Sequence, residues 1–406
     1  MKKLLLGILT CATALTLAAC GDGNKTKFGF IFLHDQKSTY DKNFIDAAKD
    51  ACKELGVKAL LKTNVEEGEG CYNAAKELVN KGCKGVFADS FGHEEFMIRA
   101  AKEFTNVEFA HATGTHAHCL DADHSTLTNF HNAFAAIYEG RYTAGIAAGM
   151  KLNEMINAGK INADQAVMGY VGAFPYAEVV SGYTSFYLGA KSVCPSATMK
   201  VRYTNSWYDE NAEKTTATTL IEQDNCVLIS QHADSQGAPS VCQAKKVPNV
   251  FYNGSNDALA DSYLTSSRIN WRPFFRYFIQ STLEGKKMDA DWTGTVANGA
   301  VEVYKANTKI AAAGTQEAMD AAIAKFKNGE LNVFDTSKFT VTPAAGATNI
   351  TVDADGHVTS YKADVDDLGD FKGETEVIEG GVFKESKFRS APYFDLRIDG
   401  ITEITK

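Results

Sequence analysis

No stretch of the sequence concentrates charge of one sign, and no Cys-x-x-Cys occurs in it. The first absence counts against nucleic-acid binding, which usually leaves a basic patch or stripe. The formal net charge is −9, with charged residues at 22% of the chain and interspersed in sign. The second absence removes the usual zinc and thiol-redox templates. Also missing are the Gly-x-Ser-x-Gly elbow, His-Glu-x-x-His, the phosphate-cradling Gly-x-x-x-x-Gly-Lys-[Ser/Thr] loop, and a Gly-x-Gly-x-x-Gly after the first strand. With no recognisable catalytic set, the chain is expected not to be an enzyme and to need no cofactor.

What is present begins at the N-terminus. Met1-Lys2-Lys3 precedes an apolar run from Leu4 to Leu17, closing on Leu17-Ala18-Ala19-Cys20. A basic start, a short apolar segment and small residues before a cleavage point are the parts of a secretory signal. The run is too short to span a bilayer comfortably as a permanent helix. Leu17-Ala18-Ala19-Cys20 resembles the lipobox of bacterial lipoproteins, which implies that Cys20 is lipidated and anchors the mature chain on the extracytoplasmic face of the cell membrane. Residues 1–19 are then the signal and 20–26, polar and Gly-rich, a flexible tether.

The chain has nine cysteines. With Cys11 in the signal and Cys20 acylated, Cys52, Cys71, Cys83, Cys119, Cys194, Cys226 and Cys242 remain. Seven is odd, and single cysteines within apolar patterns are most often small buried hydrophobes, so few or no disulfides are expected. His111, His116, His118 and His124 gather with Cys119, Asp121 and Asp123 in one segment. Such a set is able to bind zinc or copper, but an exposed connecting loop explains it more simply, and no metal site is assigned.

From Lys27 the pattern alternates. Apolar runs at Lys27–Leu33, Val57–Leu61, Gly85–Ala88 and Val107–His111 read as buried strands. Helical stripes at Asp41–Leu55, Cys71–Lys81 and Glu94–Phe104 separate them. A long helix is expected over Asn132–Ala158, after which the strand–helix rhythm restarts and runs to a strand at Asn249–Tyr252. Helices follow at Arg272–Glu284 and Gln316–Lys327, then a tail rich in Thr, Val and Asp with turn residues such as Asp353-Ala-Asp-Gly356. Two βα runs imply an α/β fold of two similar lobes with parallel sheets. The expected division is lobe 1 over 27–131 with about 259–290 returning to it, lobe 2 over 132–258 with about 291–335, and a β-rich extension over 336–406.

Open α/β sheets bind ligands beyond the carboxyl ends of their strands. The loops there carry aromatics (Tyr40, Phe91, Phe174, Trp207) beside polar groups (Asp41, Ser90, Asp234, Asp257). Flat faces with a few directional acceptors suit a planar heterocycle, since stacking contributes about 1–3 kcal/mol per base. Each aromatic could equally pack between sheet and helix, and each carboxylate could cap the next helix, Asp41 and Asp209 above all.

Several of these segments together resemble the basic membrane protein family. They are Asp89–Gly92, Asn106–Gly114, Gly169–Val180, Phe186–Ala190, Tyr203–Asp209, Gln231–Ser235 and Leu264–Trp271. Its members are substrate-binding lipoproteins of ABC importers for purine nucleosides and bases. The resemblance implies the type I periplasmic-binding fold, two Rossmann-like lobes joined by a hinge. It further implies a purine base or nucleoside held between Tyr40 and Trp207, a permease in the membrane as partner, and a monomer that binds no nucleic acid. Asp257 takes the position of the family's ribose-holding Asp. Ile269, beside Asn270, stands where nucleoside binders carry a Lys, which favours a free base such as adenine. A surface sensor or adhesin on the same fold is the alternative.

Overall fold

The computed structural model describes residues 25–368 and 373–404. The expected signal, Cys11 and the anchor at Cys20 lie outside them. Phe28, Phe30 and Ile31 are wholly buried, as a strand covered on both faces requires. The first lobe runs β1 (Lys27–Ile31), α1 (Thr39–Glu54), β2 (Lys58–Lys62), α2 (Glu69–Asn80), β3 (Cys83–Ala88), α3 (Glu94–Glu103), β4 (Glu108–Ala112) and β5 (Phe130–Ala135). The second runs α4 (Ile137–Asn157), β6 (Val167–Gly172), α5 (Ala177–Val193), β7 (Thr198–Tyr203), α6 (Glu210–Glu222), β8 (Leu228–His232), α7 (Gly237–Lys245), β9 (Asn249–Tyr252) and β10 (Tyr263–Ile269). Then come α8 (Arg272–Glu284), β11 (Asp291–Gly294), β12 (Val301–Val303) and α9 (Thr315–Lys327).

The first sheet has the order β2-β1-β3-β4-β5-β11 and is parallel throughout. The second has the order β7-β6-β8-β9-β10, flanked by an antiparallel β12 at one edge. Both therefore repeat one winding, in which the chain reverses direction beside the first strand of each lobe. That reversal opens a crevice in each sheet, β1/β3 in one and β6/β8 in the other.

Three segments join the lobes: Ala136, Asn270–Trp271, and residues 295–300. They are tied to one another, since the Ala136 amide donates to Gly294 O at 2.7 Å and the Asn270 amide to Ala300 O at 2.8 Å. Expectation and structure differ here. β10 pairs with β9 inside the second sheet, so the chain leaves that sheet at Asn270 and not near residue 259. β11 pairs with β5, which puts residues 291–294 in the first sheet. The long helix expected from Asn132 begins only at Ile137, because Phe130–Ala135 form β5, an Ala-rich strand buried on both faces.

The tail carries β13 (Ile350–Val352), β14 (Val358–Ala363), β15 (Thr375–Glu376), β16 (Ile378–Glu379), β17 (Val382–Phe383) and β18 (Ile401–Glu403). Asp353–Gly356 is the expected turn: the Asp353 carboxylate accepts from the Asp355 and His357 amides, and Gly356 has φ +87°. β18 adds in parallel to β7, so the tail completes the edge of the second sheet. The seven cysteines from Cys52 to Cys242 are all free and buried. No described helix is long and apolar enough to cross a membrane.

Candidate functional site

The two crevices face each other across a cleft of about 430 Å³, part of it open to solvent. The first lobe contributes Leu33 and His34 after β1, Tyr40 and Asp41 from the first turn of α1, Ser90 and Phe91 after β3, and Thr113 after β4. The second contributes Glu178 from the first turn of α5, Trp207 after β7, His232 and Asp234 from the end of β8, and Tyr252 ending β9. The lobes touch directly at its rim. Asn43 Nδ2 donates to Asn253 O at 2.9 Å, and the Thr39 hydroxyl to Asp234 O at 3.3 Å. The Phe91 and Tyr176 rings meet at 5.8 Å. These contacts describe a closed arrangement.

Local sequence explains the placement. Ser38 caps α1, its hydroxyl accepting from the Asp41 amide and donating to Asp41 Oδ2 at 2.6 Å. Asp41 is thus in the first turn and is not the cap, whereas Asp209 caps α6 as expected. The Asp41 carboxylate also accepts from the His34 amide at 2.7 Å. Burial alone would raise its pKa, but the bonds from the His34 ring, Ser38 and the His34 amide outweigh it and hold the group below the usual carboxylate range. Tyr40 donates its hydroxyl to Asp89 O at 2.8 Å, which fixes the ring at the cleft wall.

Across the cleft, Trp207 is braced from behind. Phe174 meets it edge-on at 5.1 Å and itself stacks on Tyr176 at 5.0 Å. His232 Nε2 lies 3.3 Å from Glu178 Oε1, and its ring lies 4.4 Å from that of Tyr252. Burial keeps the His232 pKa below its ordinary value despite the Glu178 carboxylate. Burial, then the charges of Asp41, Glu213 and Glu178, push Asp234 well above the carboxylate range. Asp41 and Asp234 are thus shifted in opposite senses, Asp41 towards its charged form and Asp234 towards its neutral one. Tyr252 Oη is buried with no hydrogen-bond partner among the described residues. Beneath it Arg141, fully buried, donates to Ser230 Oγ at 2.6 Å and sits over the Tyr170, Phe186 and Tyr252 rings. No Lys or Arg is among the residues lining the cleft.

Of the residues singled out in the sequence, Tyr40, Asp41, Ser90, Phe91, Trp207 and Asp234 line the cleft. Phe174 is not among the lining residues and stands edge-on to Trp207. Asp257 is exposed in a short 3-10 turn and is not among the lining residues. Asn270 belongs to the hinge, where its amide donates to Gly299 O at 3.1 Å and to Glu302 Oε1 at 2.9 Å. Ile269 is 1% exposed in the core, so the absence of a cation there says nothing about what the cleft holds. Glu178, Tyr252 and Thr113 were not singled out. Tyr252 ends a strand, Thr113 follows one directly, and Glu178 opens a helix beside the crevice, so the strand-end rule that takes in His232 within Gln231–Ser235 would, applied to every strand, have found them.

The sequence and the fold have counterparts among known proteins. The model of a family described as ABC transporter substrate-binding protein, PnrA-like, matches residues 32–337. The chain belongs to this family. A relative from Brucella abortus, named a purine-binding protein, is 31% identical over 336 residues, covering 80% of this chain and 88% of its own. A putative ABC transporter glucose-binding protein from Haloferax volcanii is 33% identical over 214 residues, covering 52% of this chain and 49% of its own. Among solved structures, an ABC solute-binding protein from Aeropyrum pernix K1 superposes with a TM-score of 0.62 at 13% identity, over 79% of this chain and 94% of that one. Another from Conexibacter woesei gives 0.60 at 17% identity, over 76% and 98%. At such identities these two speak for the fold alone, a two-lobed periplasmic-binding fold.

Proposed function

We propose that this PnrA-like protein is a lipid-anchored receptor on the extracytoplasmic face of the cell membrane. It captures a purine between its lobes and presents the closed form to an ABC permease. One observation carries the reading: aromatic faces from both lobes, Tyr40 and Phe91 on one side and Trp207 on the other, border a cleft lined by no Lys or Arg. Such walls suit a flat, uncharged ring and disfavour phosphorylated ligands. The ring's polar edge finds directional partners in the Asp234 and Glu178 carboxyls, the His232 ring and the Tyr252 hydroxyl. Buried groups of this kind penalise a ligand that leaves them unpaired. The name of the Brucella relative supports the same ligand class. Asp257, which the resemblance assigns to a ribose, lies outside the cleft, so no residue singled out for a sugar faces the ligand and the free base is the form proposed.

A thermal-shift panel of bases, nucleosides, sugars and amino acids tests this. Ligand at a hundred times its dissociation constant adds about 2.7 kcal/mol, a readily visible shift. Adenine or guanine should stabilise the protein more than their nucleosides do. A response to glucose and none to purines would overturn the reading. The anchor has its own test: Cys20→Ser should move the protein from the membrane fraction to the soluble one, and continued membrane association would contradict it.

A further inference from the structure

We propose that the loop between β4 and β5 and the C-terminal extension together form a divalent-metal site of the zinc type, with Cys119, His124 and Asp366 as ligands. The ligand atoms of these three residues all lie within 4.8 Å of one another. Cys119 Sγ stands 3.2 Å from His124 Nδ1. A tetrahedral zinc with Zn–S of about 2.3 Å and Zn–N or Zn–O of about 2.0–2.2 Å sets its ligands roughly 3.3–3.7 Å apart, so only small side-chain adjustments are needed. Thiolate, imidazole and carboxylate together favour zinc over the hard cations, which take oxygen alone.

The neighbouring histidines lie outside this group: His116 is hydrogen-bonded, and the His118 ring nitrogens have no hydrogen-bond partner among the described residues. His116 Nδ1 lies 3.1 Å from Glu94 Oε2 and its Nε2 3.2 Å from Asp367 O, while His118 Nδ1 faces Asp291 Oδ2 at 3.3 Å. The His-x-His pair that stands out in the sequence is therefore not the site. The pair that converges is Cys119 with His124, and the third ligand comes from almost 250 residues further along the chain. Asp364 and Glu374 form a second group around the same Asp366, with ligand atoms within the same 4.8 Å limit. They offer a fourth ligand or hold a water in that position. Backbone amides orient these carboxylates: Asp364 Oδ1 accepts from Asp367 N at 2.9 Å, and Glu374 Oε1 from Val365 N at 2.8 Å. Metal entry from the exposed His124 side displaces the Cys119 thiol proton to solvent and leaves a metal–thiolate bond. The ion would fasten the extension, whose last strand belongs to the second sheet, to a loop of the first lobe.

The test is zinc titration of the chelator-treated full-length protein against a chromophoric competitor, with Co²⁺ as a spectroscopic probe. One equivalent of Zn²⁺ should bind, and Co²⁺ should show a thiolate-to-cobalt charge-transfer band. Cys119→Ser should abolish that band. His124→Ala, at an exposed position that leaves the core untouched, and Asp366→Asn should each weaken zinc binding at least about tenfold, as loss of a supporting group alone costs 10–100-fold. No stoichiometric binding, a cobalt complex without the thiolate band, or unchanged affinity in His124→Ala would each overturn the site.

Discussion

Trp207 concentrates the expected binding energy in one side chain. Its indole is half-buried and braced by Phe174, so it holds its orientation before ligand arrives and loses little freedom on binding. Trp207→Ala should weaken purine binding by about 5- to 150-fold, the equivalent of about 1–3 kcal/mol of stacking. Phe174→Ala should weaken it less, because that ring acts through Trp207; titration calorimetry of the two variants would show the order. Asp234 is pushed towards its neutral form, which an amide resembles, so Asp234→Asn should keep more affinity than Asp234→Ala. The site was legible where strand ends met aromatics, as at Tyr40, Phe91 and Trp207. At Asp41 only the position was legible, since the sequence does not show that Ser38 and His34 already use its oxygens. At Asn270 the site was illegible, because three distant crossing segments meet there to make a hinge.

Two elements show how polar and small residues mislead a reading by hydropathy. β10 contains Thr265, Ser266 and Ser267, all fully buried, and did not read as a strand. Two of these hydroxyls find backbone acceptors, Thr265 Oγ1 at Tyr304 O, 2.7 Å away, and Ser266 Oγ at Ser267 O, 3.2 Å away, which offsets the cost of burying them. β5 is Ala-rich and merged in the sequence with the helix that follows it. α4 and α5 pack with backbones nearly touching: a Cβ at Gly145 would stand 2.1 Å from Phe186 O, and one at Gly189 2.0 Å from Tyr142 O. Gly145→Ala should therefore force the helices apart and cost about 1–3 kcal/mol in urea or thermal unfolding. Glu139, near the start of α4, accepts from the Val296 amide of the hinge at 2.6 Å, and burial lifts its pKa from 4.5 to about 7. Burial lifts Glu213 to about 7 as well. Between 4.5 and about 7 the folded chain holds protons at these groups that the unfolded chain has released. Their contribution is thus complete below 4.5 and is lost as pH rises towards 7. Glu139→Gln should flatten the fall in Tm across that window, and an unchanged profile would contradict the assignment.

The molecule as a whole is a hinged pair of lobes with a tail that binds the edge of one. In such a design ligand shifts the opening equilibrium by binding the closed form better. The two similar lobes were legible because each repeats the strand–helix alternation; the tail's docking was not, since a three-residue strand carries no signal of its partner. Glu403 of β18 accepts from Tyr183 at 2.5 Å and Tyr203 at 2.7 Å, so the last strand is fixed by side chains as well as by its ladder. Truncation after Asp399 should lower Tm by several degrees while leaving purine affinity within a few-fold. A large loss of affinity would mean that the tail shapes the cleft. The central claim is tested most directly by a crystal structure of the protein with a bound purine. The account predicts a ring parallel to the Trp207 indole, with its polar edge towards Asp234, His232 and Tyr252. A purine seated outside this cleft, or a cleft that takes a sugar in preference, would contradict it.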